Sequence, residues 1–267
     1  MSRRAREFLW CGVTADFQNG LKIHTNGGSY QAIYSASVDD IRPVLLNESL
    51  MCPQVFYKLV IGAGRGDDKR KWKRWRHDLL LLSLGVAGVE YIKTMGWRYM
   101  KNGYPVPAVI ETVLGSVTVL LQKPASCFKI KGILNEELLF CAEEFIAIKV
   151  PQRRKIVIPP GYDIVIVNNS LNPAAVSIAV EEEAETVPSD FLESKGAAYY
   201  VIKKNARQEL VPNPRYKILP PLKKKKAEEV WEKVFSETMD ELLYQFVVSN
   251  VELLDRLYEI DWNNFFS

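Results

Sequence analysis

Residues 155–169 read KIVIPPGYDIVIVNN, two short runs of apolar residues on either side of a Pro-Pro-Gly turn. Val and Ile dominate both runs, and β-branched residues of this kind favour strands. Successive side chains of a strand point to opposite faces, so every second residue of each run can face one interior. The stretch therefore predicts two β-strands separated by a turn.

Similar runs recur from residue 8 to about residue 220, cut by Gly, Pro and Asn. Their length and spacing are typical of an all-β barrel or sandwich. The composition changes at Pro220-Pro221, and Lys223–Lys226 predict a solvated basic hinge. We therefore divide the chain into a β-barrel domain, residues 1–220, and a C-terminal segment, residues 221–267. The further strand-like runs are residues 54–64, 89–96, 108–124, 144–151 and 175–183.

The C-terminal segment has apolar residues at three- and four-residue spacing, which predicts an amphipathic helix. Ser249 and Asn250 offer a break and an N-cap for a second helix. Residues 227–267 hold ten acidic and two basic side chains, a balance of −8, which leaves +11 on residues 1–226 for a total of +3. The apolar positions are Val230, Trp231, Val234, Phe235, Met239, Leu242, Leu243 and Phe246, then Leu253, Leu254, Leu257 and Tyr258.

The acidic polar face of these helices does not suit an anionic lipid surface. We therefore expect them to pack on the barrel, on a second copy of the chain in a homodimer, or on another protein partner. The apolar runs of the chain are shorter than the ~20 residues that span a bilayer, and the N-terminus lacks the apolar core of a signal peptide. These features predict a cytoplasmic location and no membrane association.

Cysteine and histidine are poorly placed for catalysis or metal binding. The two histidines, His24 and His77, lie far apart in the sequence. The charged residues around His77 predict a loop there. This scarcity weighs against a His-based metal site or a Cys/His nucleophile. Four scattered cysteines without a C-x-x-C pair predict buried thiols. They are Cys11, Cys52, Cys127 and Cys141.

Pro159, Gly161 and Asn168 stand at the spacing P-x-G-x-x-H-x-x-x-N, which resembles the second cupin motif. LGVAGVEYIKTMGWRY (84–99) is similar to the strand that leads into the H-x-H of the first motif. The stretches GVTADFQNG (12–20) and KGAAYYVIKKNARQELVPNPRY (195–216) resemble archaeal cupin-type glucose-6-phosphate isomerases. The resemblance implies a mostly β, cupin (double-stranded β-helix, jelly-roll) barrel, dimeric and followed here by a C-terminal α-helical extension.

Isomerases of this family hold a divalent metal with the H-x-H pair, a glutamate and a third histidine. The corresponding positions here are Trp97, Tyr99, Ala108 and Ile164, with Val106 as an alternative for the glutamate. None of these side chains is a usual ligand of a divalent ion. We therefore expect no metal, no cofactor and no catalytic residue at these vestigial positions. Their side chains instead fill the core, which contributes about 1.5–3 kcal/mol for a large one.

The sugar-phosphate side of the family's site has changed as well. Thr94 and Gly96 match the family's phosphate-contacting T-x-G and are the expected residual phosphate contacts. Glu181 and Val187 replace the tyrosine and histidine of its sugar-binding segment, and the added acidic residues there predict repulsion of a sugar phosphate. The resemblance thus implies an inactive homologue. The alternative is an isomerase or another sugar-phosphate-binding enzyme with a rearranged site.

DDKRKWKRWRHD (67–78) carries six Lys/Arg interleaved with two tryptophans. Phosphate contacts and base stacking make this a candidate RNA- or ribonucleoprotein-binding segment. Trp72, Trp75 and Leu79 also fit one face of a short helix docked on the barrel, and the cations could instead hold the acidic C-terminal helices. We expect an interaction or scaffold protein. The candidate polyanion-binding residues are Lys69, Arg70, Lys71, Trp72, Lys73, Arg74, Trp75 and Arg76.

Overall fold

The computed structural model describes residues 6–8, 10–17, 21–50, 55–72, 74–125, 128–131, 136–235 and 240–266. The described residues are mostly strands, as the sequence predicts. The first strands are β1 (Arg6–Phe8), β2 (Val13–Asp16), β3 (Lys22–Thr25), β4 (Gly28–Ser29), β5 (Ala32–Ser37), β6 (Val55–Ile61), β7 (Gly64–Arg65), β8 (Trp75–Leu82), β9 (Val86–Ala87), β10 (Glu90–Tyr91), β11 (Trp97–Lys101) and β12 (Tyr104–Pro105).

The remaining strands are β13 (Ala108–Leu114), β14 (Ser116–Pro124), β15 (Phe128–Lys131), β16 (Glu136–Pro151), β17 (Lys155–Ile158), β18 (Asp163–Asn168), β19 (Ala174–Glu181), β20 (Glu185–Pro188), β21 (Tyr199–Lys204), β22 (Arg207–Pro212), β23 (Tyr216–Ile218) and β24 (Leu222–Lys226). The helices are α1 (Val38–Ile41), α2 (Gly66–Lys69), α3 (Phe191–Ser194), α4 (Ala227–Glu232), α5 (Leu243–Ser249) and α6 (Val251–Asp255), with 3-10 turns at Arg42–Val44 and Arg256–Tyr258. No described helix is long and apolar enough to cross a bilayer.

Two large sheets supply the barrel. One has the strand order β17-β13-β19-β8-β6-β5, and the other has the order β12-β11-β18-β14-β16-β15 with β20 beside β11 and with β23 and β24 beside β16. The strands of KIVIPPGYDIVIVNN are β17 and β18, so its Pro-Pro-Gly turn joins the two sheets. Gly115 makes a second corner between the sheets, with φ of +76°, and a Cβ there would lie 2.9 Å from the Pro173 carbonyl oxygen.

Side chains along each strand alternate between the inside of the barrel and its outer face. Along β13, Ala108 and Ile110 join the interior cluster, whereas Val109 joins a second apolar cluster. In β17 the same alternation places Ile156 inside and Val157 outside. The six-stranded sheet is therefore apolar on both faces, and its outer face needs a cover.

The C-terminal segment provides that cover. Trp231, Leu243, Phe246 and Leu254 are almost fully buried in the cluster that contains Val109. The Trp231 ring stacks on the Phe246 ring at a centroid distance of 6.2 Å. The apolar face of the helices thus packs on the barrel of the same chain. This is the first of the three packings expected from the sequence. A homodimer or a protein partner through these helices stays a prediction.

Two expectations about the C-terminal segment are wrong. The single helix expected over residues 230–246 is interrupted, because α4 ends at Glu232 and α5 begins at Leu243, with residues 236–239 outside the described ranges. The expected basic hinge is strand β24, which pairs in parallel with residues 145–149 of β16. Backbone hydrogen bonds of β24 hold the lysine run to the sheet edge. The break at Asn250 is confirmed between α5 and α6.

We predict that Trp231→Ala lowers the free energy of unfolding by about 3–5 kcal/mol, because it empties a large buried site between the helices and the sheet. Leu171→Ala is the control, since the Leu171 side chain is exposed and its removal should cost no more than about 0.5 kcal/mol. Chemical denaturation measures both. Equal stability of the two variants would contradict the packing of the C-terminal segment described above.

Candidate functional site

The four positions that the resemblance assigns to lost metal ligands lie together in the barrel core. Trp97 and Tyr99 are on β11, Ala108 is on β13 and Ile164 is on β18, with exposures between 0% and 4%. Trp97 pairs with Ile164 across neighbouring strands. The rings of Trp97 and Tyr99 meet edge to face, with centroids 6.3 Å apart. All four side chains belong to one apolar cluster.

This set of side chains does not fit a divalent metal ion. Indole, methyl and butyl groups offer no lone pair to an ion, and Val106 at the alternative glutamate position is apolar too. The phenol oxygen of Tyr99 is the one oxygen, and burial raises the pKa of Tyr99, which keeps the phenol protonated. Within the described ranges no three His, Cys, Asp or Glu side chains converge. We therefore derive no metal-dependent step.

Glu111 points to the outer face of the sheet, as strand alternation predicts. One carboxylate oxygen accepts the backbone N–H of Leu243 at 2.7 Å, and the other lies 3.7 Å from Nζ of Lys155. Burial raises the pKa of Glu111 and lowers the pKa of Lys155, and the attraction between the two charges opposes both shifts. This carboxylate attaches the start of α5 to the barrel and does not reach the interior.

His77 lies in strand β8 and not in a charged loop, so that expectation is wrong. The side chain is fully buried. Its Nδ1 lies 2.6 Å from the Ala63 carbonyl oxygen, and its Nε2 lies 2.7 Å from Oγ of Ser177. Burial lowers the pKa of His77 to about 4, so the ring is neutral at pH 7. The C-terminal Tyr244 covers it edge to face at 5.0 Å, which makes it a structural histidine.

The expected phosphate contacts, Thr94 and Gly96, are already used by the barrel. The Thr94 hydroxyl accepts the backbone N–H of Ile166 at 3.0 Å and is fully buried. Gly96 has φ of +113°, and a Cβ there would lie 2.5 Å from the Phe191 ring. Its carbonyl oxygen accepts the N–H of Ser189 at 3.2 Å. These contacts explain why a threonine and a glycine stand at these two positions, and no bound phosphate is needed to explain them.

The basic segment, residues 69–76, divides into exposed cations and buried side chains. The side chains of Arg70 and Lys71 are 84% and 60% exposed. Lys69 is half-buried, with its Nζ 5.7 Å from the centre of the Trp72 ring. Lys73 lies outside the described ranges. An anion can therefore reach the cations at the end of α2.

Three members of the basic segment are not available to a polyanion. Trp72, Trp75 and Arg76 are 9%, 0% and 5% exposed. The two indoles dock on the protein, although not as one helix face, because α2 ends at Lys69 and Trp75 begins strand β8. Their buried rings cannot stack on bases, and this corrects that part of the nucleic-acid hypothesis.

The C-terminal segment contacts the basic segment within the chain, which was the third alternative. The indole Nε1 of Trp75 donates to the Asp255 carboxylate at 2.9 Å. The Arg74 guanidinium lies 3.6 Å from the centre of the Tyr258 ring, close enough for a cation–π interaction. The Tyr258 hydroxyl in turn donates to Glu181. Acidic and aromatic side chains of the tail therefore occupy part of the basic segment.

Glu181, in the segment that replaces the family's sugar-binding residues, is surrounded by groups that offset its charge. Glu181 is buried and accepts from Lys101 and Tyr258, with Arg74 at 3.4 Å. Burial acts to raise the pKa of Glu181, but the Lys101 and Tyr258 hydrogen bonds and the Arg74 charge hold it below the ordinary value. Val187 is exposed on β20. The expected repulsion from Glu181 is thus offset by its partners.

A cleft of about 610 Å³ opens beside Trp97, where β5 and β6 face β20 and the residues before β11. The sequence does not indicate it, because its lining comes from five separated parts of the chain. No motif connects these parts, and only the pairing of the strands brings them together. The lining residues are Tyr34, Tyr57, Leu59, Ile61, Arg76, Met95, Gly96, Trp97, Ala184, Glu185, Thr186 and Pro188.

One family model matches this chain, and several solved structures are similar to it. The family model described as glucose-6-phosphate isomerase matches residues 53–216. A cupin-superfamily sugar phosphate isomerase from Silicibacter pomeroyi is similar at 11% identity over 71% of this chain and 92% of that one, with a TM-score of 0.30. Vicilin from Solanum melongena is similar at 11% identity, with 50% and 30% of the chains covered and a TM-score of 0.32.

An oxalate oxidase is similar at 10% identity over 60% of this chain and 55% of that one, with a TM-score of 0.29. The chain thus spans about a third of the vicilin and about half of the oxidase. No curated protein matches the sequence. The fold is a cupin β-barrel with a C-terminal helical extension.

We predict that the stability of the protein falls between about pH 6.5 and pH 4 through His77. The pKa of His77 is lowered to about 4 in the folded state, so the unfolded chain binds a proton in this window and the folded chain does not. The stabilisation is complete above the unfolded pKa and is lost as the pH falls, by about 3 kcal/mol in total. Denaturation of wild type and His77→Gln across this range measures it.

His77→Gln should be less stable than wild type at pH 7 but should lose less stability on acidification. His24→Gln is the matched control, because His24 is exposed on β3, and it should follow the wild-type profile. If His77→Gln and wild type had parallel pH profiles, the neutral buried histidine would be excluded.

Proposed function

Because the chain belongs to the glucose-6-phosphate isomerase family of cupin proteins, we propose that it works by binding a partner and not by metal-dependent isomerisation. The observation that carries this proposal is the packing of Trp97, Tyr99, Ala108 and Ile164 in one apolar cluster. An isomerase of this family needs charged or imidazole ligands at these positions. Side chains that instead pack against one another stabilise the barrel and leave no donor set for an ion.

The alternative, an isomerase with a rearranged site, needs ligands from elsewhere in the barrel. Asp78 is a buried carboxylate whose charge acts on Tyr99, but it already accepts from Arg76 and Gly62. Glu111 and His77 sit under the C-terminal segment on the outer face of the sheet. Glu111 is held there by Lys155 and Leu243. His77 has Ala63 and Ser177 at its two ring nitrogens. Recruiting any of these three side chains would break buried interactions, so the geometry favours the binding function.

The surface that best fits an anionic partner is the end of α2. Lys69, Arg70 and Lys71 are close together in the sequence, and the last two are well exposed. Residues 1–226, which include this surface, carry a balance of +11, and such a field attracts polyanions. We propose single-stranded RNA, in a cytoplasmic ribonucleoprotein, as the partner. A protein partner of the C-terminal helices would have to use their acidic face, because their apolar face is buried.

We predict that the purified protein retains no stoichiometric metal after incubation with Mn²⁺, Fe²⁺, Ni²⁺ or Zn²⁺ and dialysis. We also predict that it does not interconvert glucose 6-phosphate and fructose 6-phosphate, because no ligand set reaches the barrel interior. Elemental analysis and a coupled isomerase assay measure the two properties. One metal per chain together with turnover would overturn the binding proposal and support the rearranged enzyme.

We predict that replacing Lys69–Lys71 by glutamine weakens binding to single-stranded polyuridine. The slope of log affinity against log salt should become shallower by roughly 2, since each phosphate contact on a single strand contributes about 0.7. Fluorescence anisotropy across a salt series measures both effects.

The control variant removes the same number of charges from the β21–β22 hairpin and should keep the wild-type slope. Its substitutions are Lys203→Gln, Lys204→Gln and Arg207→Gln. Equal losses in the two variants would show that the end of α2 is not the binding surface, and an absence of binding by wild type would refute the RNA proposal.

A further inference from the structure

Three donor groups in the lining of the cleft beside Trp97 have no acceptor among the described residues: Nη2 of Arg76, the indole Nε1 of Trp97 and the hydroxyl of Thr186. The Nε of Arg76 donates to both oxygens of Asp78 at 3.1 and 3.2 Å. Its Nη1 donates to the carbonyl oxygens of Glu182 at 2.6 Å and Ala184 at 2.8 Å. These bonds use three of the five guanidinium hydrogens. The second terminal nitrogen, Nη2, donates to no described residue, although the side chain is only 6% exposed.

Nη2 is not among the fully enclosed unpaired atoms, so it donates to solvent in the free protein, and an occupant of the cleft that carries an acceptor oxygen can take the place of that water. Arg76 lines the cleft, and its other nitrogens are fixed by the strand bonds above. The free donor therefore keeps a constant position in the wall. One oxygen atom is enough to satisfy it, since Nε and Nη1 are already engaged and a two-point contact with a carboxylate or phosphate is not available.

The charge around this donor disfavours an anionic occupant. Asp78 is fully buried, lies 3.1 Å from the Arg76 Nε and also accepts the N–H of Gly62 at 2.9 Å. The positive charge of Arg76 is thus balanced within the wall. The other charged side chain in the lining is the carboxylate of Glu185. A phosphate dianion would meet one balanced arginine and one carboxylate, which is unlike the cation clusters that usually hold phosphates.

The rest of the lining suits an apolar body. Leu59, Ile61, Met95 and Pro188 present aliphatic surface, and the aromatic rings of Tyr34, Tyr57 and Trp97 add to it. Thr186 contributes a hydroxyl group without a hydrogen-bond partner in the described part of the chain. The cleft volume of about 610 Å³ falls within the range of roughly 300–1,000 Å³ found for small-molecule sites. Apolar walls with one or two placed polar groups are the usual composition of such sites.

We propose that the cleft binds an uncharged small molecule with an apolar, ring-sized body and one carbonyl or ether oxygen that accepts from Nη2 of Arg76. The ring packs between Ile61 on one side and Trp97 on the other. This inference goes beyond the anionic partner at α2 and is independent of it, because the one cation in the cleft lining, Arg76, is buried beside Asp78, whereas Arg70 and Lys71 at α2 are exposed.

Titration of ¹⁵N-labelled protein with 1-indanone, an uncharged ketone of this size, tests the proposal. The indole Nε1 of Trp97 has no hydrogen-bond partner among the described residues, so its resonance should respond to a ligand in the cleft. We expect a saturable shift of that resonance with 1-indanone. Indane, which lacks the oxygen, should bind about tenfold more weakly because one hydrogen bond is lost. Glucose 6-phosphate should produce no shift.

Two cleft variants and one control variant test whether 1-indanone binds in the cleft. Ile61→Trp fills the cleft and should abolish the shift, whereas Leu171→Ala, at an exposed site outside the lining, should bind as wild type does. Tyr34→Ala removes an exposed wall and should weaken 1-indanone binding even if Ile61→Trp fails to fold. The proposal is overturned by an absent or unsaturable shift, by equal affinity for indane, by tighter binding of glucose 6-phosphate, or by wild-type binding in both cleft variants.

Discussion

The apolar filling of the barrel interior is the constraint on which the rest of the chain depends. Trp97 and Ile164 face each other on paired strands, and Tyr99 and Ala108 complete the same cluster. These four side chains supply no carboxylate, thiolate or imidazole ligand for a divalent ion. We therefore propose that the function does not rely on a metal at this place and that it lies at the surface and in the cleft beside the core.

The second constraint is the apolar outer face of the six-stranded sheet. The C-terminal helices cover it, and buried polar contacts fix their position. Glu111 accepts the first N–H of α5, and Asp255 accepts the indole N–H of Trp75. The same contacts draw Arg74 onto the Tyr258 ring. Covering the sheet thus limits the basic segment to the exposed cations at the end of α2.

Local patterns predicted the strands well, because alternation along a strand decides which face each residue takes, and the filled interior was predicted from the resemblance to the family. The outward direction of Glu111 follows from alternation along β13, whereas the resemblance to the family placed Trp97 opposite Ile164. Patterns failed where distant contacts decide the conformation. The lysine run 223–226 became a strand because β16 offered a free edge. His77 and Arg76 became buried because strands and helices from elsewhere enclose them, and the cleft has no local signature.

Anomalous X-ray diffraction from crystals soaked in Mn²⁺ tests the central claim most directly, because it locates bound metal without depending on activity. The account predicts no anomalous peak inside the barrel between β11, β13 and β18, with continuous density for the packed side chains of Trp97 and Ile164. A peak at that place, with oxygen or nitrogen atoms around it at metal-bonding distance, would contradict the account.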